Sequence, residues 1–196
     1  MEAKEITRIS RHLCRLLRHQ PQLAHLEMDA HGWVDADQLV RNVAAEGYPL
    51  TRQLLEEIVA DDQKGRYRFS PDGRRIKACQ GHSIPWVEPE LEEKEPPELL
   101  YHGTTAQAWE KIQASGAILR MGRHGVHMQA EEQKAWPSAR RWQGKTPVVL
   151  EIDAGRMARE GVVFGVSDNQ VWICPQVPVE YILRVLWQPT DPADEP

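Results

Sequence analysis

The sequence of 196 residues has few of the features of a membrane, secreted or disulfide-bonded protein. It contains no apolar run of roughly 18 residues, so no transmembrane helix is expected. Its first ten residues, MEAKEITRIS, lack the apolar core of a signal peptide. Only three cysteines occur, Cys14, Cys79 and Cys174, and an odd, scattered set is typical of free thiols. We therefore expect a cytoplasmic protein without a disulfide framework.

Two common ligand motifs are also missing. No G-x-G-x-x-G follows the first predicted strand of the C-terminal half, so a Rossmann cofactor site is not expected. His124 and His127 lie three residues apart on a predicted strand, which directs their side chains to opposite faces. No cysteine pair joins them, and we expect no metal site.

Acidic charge is concentrated in two segments of the chain, which has a net charge of -5. The stretch EPELEEKEPPE carries -5 and the final residues DPADEP carry -3, which leaves about +3 for the remainder. A Glu/Pro-rich composition opposes core formation. We therefore predict an N-terminal domain over residues 1–84, a linker over 85–98, a C-terminal domain over 99–188 and a disordered tail over 189–196.

The segment RISRHLCRLLRHQP predicts an amphipathic helix that ends near His19, because Pro21 disfavours helical geometry at the preceding residue. One arc of this helix is apolar, and the opposite arc is basic. The apolar arc consists of Ile6, Ile9, Leu13, Leu16 and Leu17, and the basic arc consists of Arg8, Arg11, Arg15 and Arg18. The basic arc is either a solvated face or an anion-binding face, since guanidinium groups fit phosphate oxygens bidentately.

The rest of the N-terminal half predicts two more helices and a hairpin. Asp35 and Thr51 are the expected N-caps of the helices, and Gly47 is the expected stop of the first. RYRFSPDGRRIKA alternates around a Pro-Asp-Gly turn, which is typical of a β-hairpin. Three helices followed by a hairpin predict a winged-helix-like lobe.

The C-terminal half predicts short strands with intervening helices, which indicates the α+β class. The predicted strands are LLYHG, HGVHMQ, PVVLEID, VVFGVS, QVWICP and YILRVLW. Helical patterns occur at TAQAWEKIQASG and around EEQKAWPSARRW.

From Ile9 to about Tyr181 the chain resembles the NAD-dependent RNA 2′-phosphotransferases, which remove the 2′-phosphate of a tRNA splice junction. The motifs that carry the resemblance are, in order, LCRLLRHQP, GWVDADQL, KGRYRF, IKACQGHS, LLYHGT, MGRHGVHM, VVLEIDA and FGVSDNQVWI. The resemblance implies a winged-helix lobe followed by an ADP-ribosyltransferase-like lobe, in agreement with the two-part pattern.

The resemblance also implies a two-step reaction. The RNA 2′-phosphate attacks the nicotinamide-bearing ribose of NAD and expels nicotinamide. The ribose O2″ then attacks the phosphorus, which yields RNA with a free 2′-OH and ADP-ribose 1″,2″-cyclic phosphate. We expect NAD as co-substrate, RNA as partner, no membrane or metal, and a monomer.

The family motifs assign roles to ten residues. The resemblance implies Arg18, His19, Arg66 and Arg123 as catalytic residues, and Tyr101, His102, Gly103, Thr104, His127 and Asn169 as residues that bind NAD. Arg68 is an alternative to Arg66, because both are predicted on one strand face. Gln129 stands where the family commonly has serine, and Gly165 where a second aromatic is usual.

Two other functions remain open from the sequence. A one-step ADP-ribosyltransferase would cap phosphorylated nucleic-acid ends or modify protein. A non-catalytic reader would bind phosphorylated RNA without altering it. The presence of all four catalytic positions favours the two-step enzyme over the reader.

Overall fold

In the computed structural model, which describes residues 3–188, the chain is divided into two compact units. Unit 1 contains the described residues up to Glu90 together with two short returns of the chain, Gly122–His124 and Ser167–Asn169. Unit 2 contains Leu91–Met121, Gly125–Val166 and the described residues from Gln170 onward. The predicted tail over residues 189–196 lies outside the described residues.

Unit 1 is built from three helices and one small antiparallel sheet. Its elements are α1 (Ala3–Arg18), a 3-10 turn (Pro21–Ala24), β1 (Val34–Asp35), α2 (Ala36–Ala45), α3 (Arg52–Ala60), β2 (Tyr67–Phe69) and β3 (Arg75–Ala78). The strands are arranged in the order β1-β3-β2. The side chains of Asp35 and Thr51 accept hydrogen bonds from the first turns of α2 and α3, as their sequence positions predict.

The apolar arc of α1 forms the centre of the unit 1 core. Ile9, Leu13, Leu16 and Leu17 are fully buried against α2, α3 and the sheet. Burial of an aliphatic side chain of this size contributes roughly 1.5–3 kcal/mol to folding. The core therefore fixes the rotation of α1 about its axis, and with it the direction of the arginines on its opposite face.

Unit 2 is a mixed α/β unit with several short sheets. Its elements are β4 (Glu92–Glu93), β5 (Leu99–Thr105), α4 (Ala106–Ser115), β6 (Ala117–Leu119), β7 (Val126–Met128), α5 (Glu132–Ala139), β8 (Pro147–Asp153), α6 (Ala154–Arg159), β9 (Gly165–Val166), β10 (Trp172–Cys174), β11 (Gln176–Pro178), a 3-10 turn (Val179–Tyr181) and β12 (Ile182–Trp187). The sheets have the orders β4-β9-β10-β7, β11-β6 and β12-β8-β5. The predicted α+β class is therefore confirmed.

The acidic segment over residues 85–98 is shared between the two units. Glu92 and Glu93 pair antiparallel with β9 while their side chains stay exposed. Backbone pairing needs no apolar side chain, so an acidic stretch still adds an edge strand. Within residues 3–188, no helix has the length and apolar content that a bilayer crossing requires.

Candidate active site

Arg18 is the last residue of α1, beside the buried leucines of that helix. Its Nε and Nη2 atoms are buried and have no hydrogen-bond partner among the described residues. A Cβ added at Gly81 would lie 3.6 Å from Nη1, so the loop backbone passes close to the guanidinium group. Buried donors without partners cost free energy, and Arg18 therefore offers adjacent N–H groups to an anion.

His19 follows Arg18 and is held by the loop that contains Gly81. Its Nδ1 atom lies 2.8 Å from Oγ of Ser83, and the backbone N–H of Ser83 donates to the carbonyl of Arg18 at 2.9 Å. Partial burial lowers the pKa of His19, and the positive charges of Arg18 and Arg123 lower it further. At neutral pH the imidazole is therefore uncharged and carries one ring proton.

Arg123 belongs to unit 1, although the chain on either side of Gly122–His124 belongs to unit 2. Its effect on the pKa of His19 shows that its charge is near the imidazole. The structure thus brings together Arg18, His19 and Arg123, three of the four predicted catalytic residues. Positive charge from two guanidinium groups beside one neutral imidazole is suited to a phosphate group.

His82 lies on the same loop as Ser83, within the motif IKACQGHS, and the sequence analysis assigns it no role. It is 2% exposed, and neither ring nitrogen has a hydrogen-bond partner among the described residues. Burial, and to a smaller extent the charge of Arg18, lowers its pKa to about 4. His82 is therefore neutral at physiological pH and adds no charge to that of the arginines.

Arg66 is held by Asp62. The Asp62 carboxylate accepts bonds from Nε of Arg66 at 2.9 Å and from its backbone N–H, and it lies 2.8 Å from Nη2. The Asp62 side chain is only 2% exposed, whereas that of Arg66 is one-third exposed. Burial raises the pKa of Asp62, but the bonds from Arg66 outweigh this effect and the net pKa is lowered.

Asp62→Asn should destabilise unit 1 and loosen Arg66. Loss of the carboxylate charge removes a charge-assisted pair, which should lower the free energy of unfolding by about 1–3 kcal/mol. Because the folded-state pKa of Asp62 is depressed, its stabilisation is present above the unfolded pKa and disappears as pH falls through the folded pKa. In thermal unfolding, the loss of stability of the variant relative to the wild type should be largest near pH 7 and vanish in strong acid. A deficit that is constant with pH would contradict this account, and Asp61→Asn is the matched control.

Arg68, the alternative to Arg66, is part of a different network. Its Nη1 lies 3.0 Å from Oδ1 of Asp168, and its Nη2 lies 3.8 Å from Oε2 of Glu90. Both carboxylates also pair with Lys77, a lysine that is only 2% exposed. Arg68 therefore joins the hairpin to the return segment Ser167–Asn169, which is a structural role.

Asn169 belongs to unit 1 with the arginines. Its Nδ2 donates to the carbonyl of Lys64 at 3.1 Å, and its Oδ1 accepts from Oγ of Ser167 at 2.8 Å. These bonds fix the loop that precedes Arg66. The other five residues predicted to bind NAD belong to unit 2.

In unit 2, His102 on β5 and His127 on β7 are in direct contact. Nδ1 of His102 donates to the carbonyl of His127 at 2.8 Å, and Nδ1 of His127 donates to the carbonyl of Gly125 at 3.1 Å. A carbonyl only accepts, so each ring carries a proton on Nδ1. In the neutral ring Nε2 is then an acceptor.

Packing and backbone pairing account for several residues close to His102. A Cβ added at Gly103 would lie 2.1 Å from the carbonyl oxygen of Ala135, so only glycine lets α5 approach β5 this closely. Thr104 is buried. The backbone groups of Tyr101 and Gln129 exchange two hydrogen bonds of 2.8 Å, and these bonds do not depend on the side chain at position 129.

A close steric contact also explains why glycine occupies position 165. An added Cβ would lie 2.8 Å from the Cβ of Leu91, which β4 positions beside β9. The edge strand thus occupies the space that an aromatic side chain would need. Across residues 3–188, no group of three or more His, Cys, Asp or Glu side chains has an arrangement that could hold a metal ion.

These features define a two-unit α+β protein with an arginine-rich site of the kind that holds phosphate groups. The model of the family described as "RNA 2′-phosphotransferase, Tpt1 / KptA family" matches residues 4–176. The chain belongs to this family.

Curated relatives match over nearly their whole length. One from Burkholderia lata is 43% identical over 183 residues, which cover 93% of this chain and 92% of the relative. Another, from Streptomyces coelicolor, is 43% identical over 182 residues, with coverage of 93% and 97%. A third, from Pseudomonas syringae, is 40% identical over 185 residues, with coverage of 94% and 97%. Each is named "Probable RNA 2′-phosphotransferase".

The sequence-based list of functional residues omitted Asp62, His82 and Ser83. Asp62 stands four residues before Arg66, a spacing that suggests a local ion pair but has little specificity outside a helix. His82 and Ser83 lie within the quoted motif IKACQGHS. Only the fold shows that Ser83 contacts a residue 64 positions earlier in the chain.

Proposed function

We propose that this chain removes an internal 2′-phosphate from RNA by transferring it to NAD. The observation that carries the proposal is the pair of buried donor atoms on Arg18 that have no hydrogen-bond partner within residues 3–188. A phosphate oxygen accepts from such donors and removes the cost of leaving them unpaired. Family membership supports RNA as the carrier of that phosphate.

The two units supply different parts of the proposed chemistry. The three helices and hairpin of unit 1 support a winged-helix-like lobe for the RNA phosphate. Unit 2 would be the ADP-ribosyltransferase-like lobe for NAD, with His102 and His127 accepting from ribose hydroxyls. NAD supplies its own leaving group, nicotinamide, so the reaction as proposed requires no metal.

In the first proposed step, the protein chiefly positions the phosphate. The 2′-phosphate is already an anion at neutral pH and needs no strong base. Arg18 and Arg123 would hold it, and neutral His19 would donate one hydrogen bond. The attack of a phosphate oxygen on the anomeric carbon of the ribose forms a C–O bond as the bond to nicotinamide breaks.

In the second proposed step, negative charge develops on a pentacoordinate phosphorus. Guanidinium groups that hold the equatorial oxygens stabilise this transition state more than the ground state. The ribose O2″ attacks, and the RNA 2′-oxygen leaves. The proton that O2″ loses as it attacks ends on the RNA 2′-oxygen, and neutral His19 would donate a hydrogen bond to that oxygen as its bond to phosphorus breaks. Cyclic phosphate on ADP-ribose and RNA with a free 2′-OH result.

The direct test is an incubation with an oligoribonucleotide that has one internal 2′-phosphate. With NAD and excess chelator, the RNA should lose one phosphate, and mass spectrometry should detect ADP-ribose cyclic phosphate. A stable ADP-ribosyl adduct as the final product would instead indicate a one-step transferase, and RNA that is bound but unchanged would indicate a reader. Turnover without NAD, or a strict need for a divalent metal, would refute the proposal.

His102→Ala should separate binding of NAD from binding of RNA. The substitution removes the bond to the His127 carbonyl and the acceptor that we assign to a ribose hydroxyl. Calorimetry should show weakened NAD affinity, and affinity for the 2′-phosphorylated RNA should stay near the wild-type value. The assignment fails if RNA affinity collapses while NAD binding survives. His25→Ala, at an exposed histidine of unit 1, is the control and should leave both affinities unchanged.

A further inference from the structure

Ser83 contacts both residues of the Arg18–His19 pair. Its backbone N–H donates to the carbonyl of Arg18 at 2.9 Å, which binds the loop to the end of α1. Its Oγ lies 2.8 Å from Nδ1 of His19. Among the described residues, the structure gives this hydroxyl no other hydrogen-bond partner.

The loop that carries Ser83 is anchored on both sides of the contact. His82 is buried next to Gly32, where an added Cβ would lie 2.8 Å from Nε2 of His82. Ile84 is also buried. Since its neighbours are fixed in the core, the Ser83 hydroxyl has a defined position although the residue itself is exposed.

The direction of the Ser83–His19 hydrogen bond determines whether Nε2, on the other side of the imidazole, is a donor or an acceptor. If the hydroxyl donates to Nδ1, the single ring proton is on Nε2, and Nε2 is a donor. If Nδ1 donates to the hydroxyl, Nε2 is an acceptor and would face lone pairs of a phosphate unfavourably. Only the first arrangement lets a neutral His19 donate a hydrogen bond to a phosphate or to a leaving oxygen.

We propose that Ser83 is a positioning residue for His19, donating its hydroxyl hydrogen to Nδ1 so that the ring presents Nε2–H to the phosphate. This inference rests on the proposed function for its consequence in catalysis. The direction of the hydrogen bond is a property of the unliganded protein and is measured independently. In this proposal Ser83 acts through His19 and not on the substrate directly.

The donor direction has a defined effect on titration. A bond donated to Nδ1 stabilises the neutral ring, so its removal raises the pKa of His19. A bond that the hydroxyl accepts from Nδ1–H is at least as strong in the protonated ring as in the neutral ring, so its removal would lower the pKa of His19 or leave it unchanged. The other groups that act on the ring are Arg18, Arg123 and His82, and all three stay in place in a Ser83 variant.

The experiment uses the full chain with ¹⁵N-labelled histidine, and His19→Asn identifies the His19 resonances. In the wild type, long-range ¹H–¹⁵N correlation should show a protonated Nε2. Ser83→Ala should raise the pKa of His19 and slow single-turnover phosphate transfer about tenfold, the order expected for one lost hydrogen bond. Ser83→Thr, which keeps the hydroxyl, should restore both, and Ser115→Ala is the matched serine control.

A protonated Nδ1 in the wild type overturns the proposal without any variant. A lowered or unchanged pKa in Ser83→Ala also overturns it, as does failure of Ser83→Thr to restore the value. If the wild type shows the proposed ring state but transfers no phosphate to NAD, the proposed function fails while the role of Ser83 in orienting His19 stands.

Discussion

Arg18→Lys is expected to slow phosphate transfer by about 10²–10³, the usual range for loss of one preorganised donor at a charged transition state. Nε and Nη2 of Arg18 form two adjacent, buried donors. A lysine ammonium is a point charge and cannot present the same pair in one plane. The buried leucines of α1 are untouched, so the fold should persist.

Single-turnover transfer from a 2′-phosphorylated oligoribonucleotide, together with circular dichroism, checks this expectation. Arg11→Lys is the matched control, because Arg11 is on the same helix and exposed. Nearly wild-type transfer by Arg18→Lys would show that the unpaired donors do not hold the phosphate. An equal loss in Arg11→Lys would point instead to a general contribution of positive charge on α1.

Arg123→Ala is expected to separate the two chemical steps. In the proposed reaction, the first step would pass through a cationic ribose, and the bound phosphate would need mainly correct placement. The second proposed step would form a charged phosphorane whose oxygens need several donors at once. A donor used mainly in that transition state contributes about 3–4 kcal/mol, which corresponds to about 10²–10³ in rate. The variant should therefore accumulate RNA-2′-phospho-ADP-ribose.

A single-turnover time course that resolves substrate, intermediate and product on a gel measures this effect. Arg120→Ala, at an exposed arginine three residues earlier, is the control and should show almost no intermediate. If Arg123→Ala slows both steps equally, no intermediate will appear. Arg123 would then be a general phosphate-binding group.

The same assay distinguishes Arg66 from Arg68. Arg66→Ala should accumulate intermediate to a smaller degree than Arg123→Ala, because its bonds to Asp62 use Nε and Nη2 and leave Nη1 for a ligand. Arg68→Ala should instead lower thermal stability, since it removes the pair with Asp168. Accumulation in the Arg68 variant alone would reverse the assignment.

Local patterns predicted much of unit 1 because the responsible interactions are local. The periodicity of α1 places its leucines in the core, and Asp35 and Thr51 cap their helices through contacts three residues away. Contacts between distant parts of the chain were not predictable in this way. The Arg68–Asp168 pair spans 100 residues, and no periodicity links its members.

In the candidate site, too, some residues were predictable from local sequence and others were not. The motifs drew attention to Arg18, His19 and Arg123, but their assignment to one unit depends on where Gly122–His124 returns in the fold. The supporting groups, Asp62, His82 and Ser83, are ordinary residue types in loops. Only burial and contact geometry distinguish them from other polar loop residues.

The two returns of the chain to unit 1 limit how this protein can be divided. The polypeptide passes from one unit to the other five times, so no single cut separates them. A fragment that ends at Glu90 would lack Arg123 and would deprive buried Lys77 of its Asp168 partner. Neither gene fission nor recombination at the acidic segment would therefore yield an intact unit 1, and the two units are expected to be inherited and exchanged as one piece.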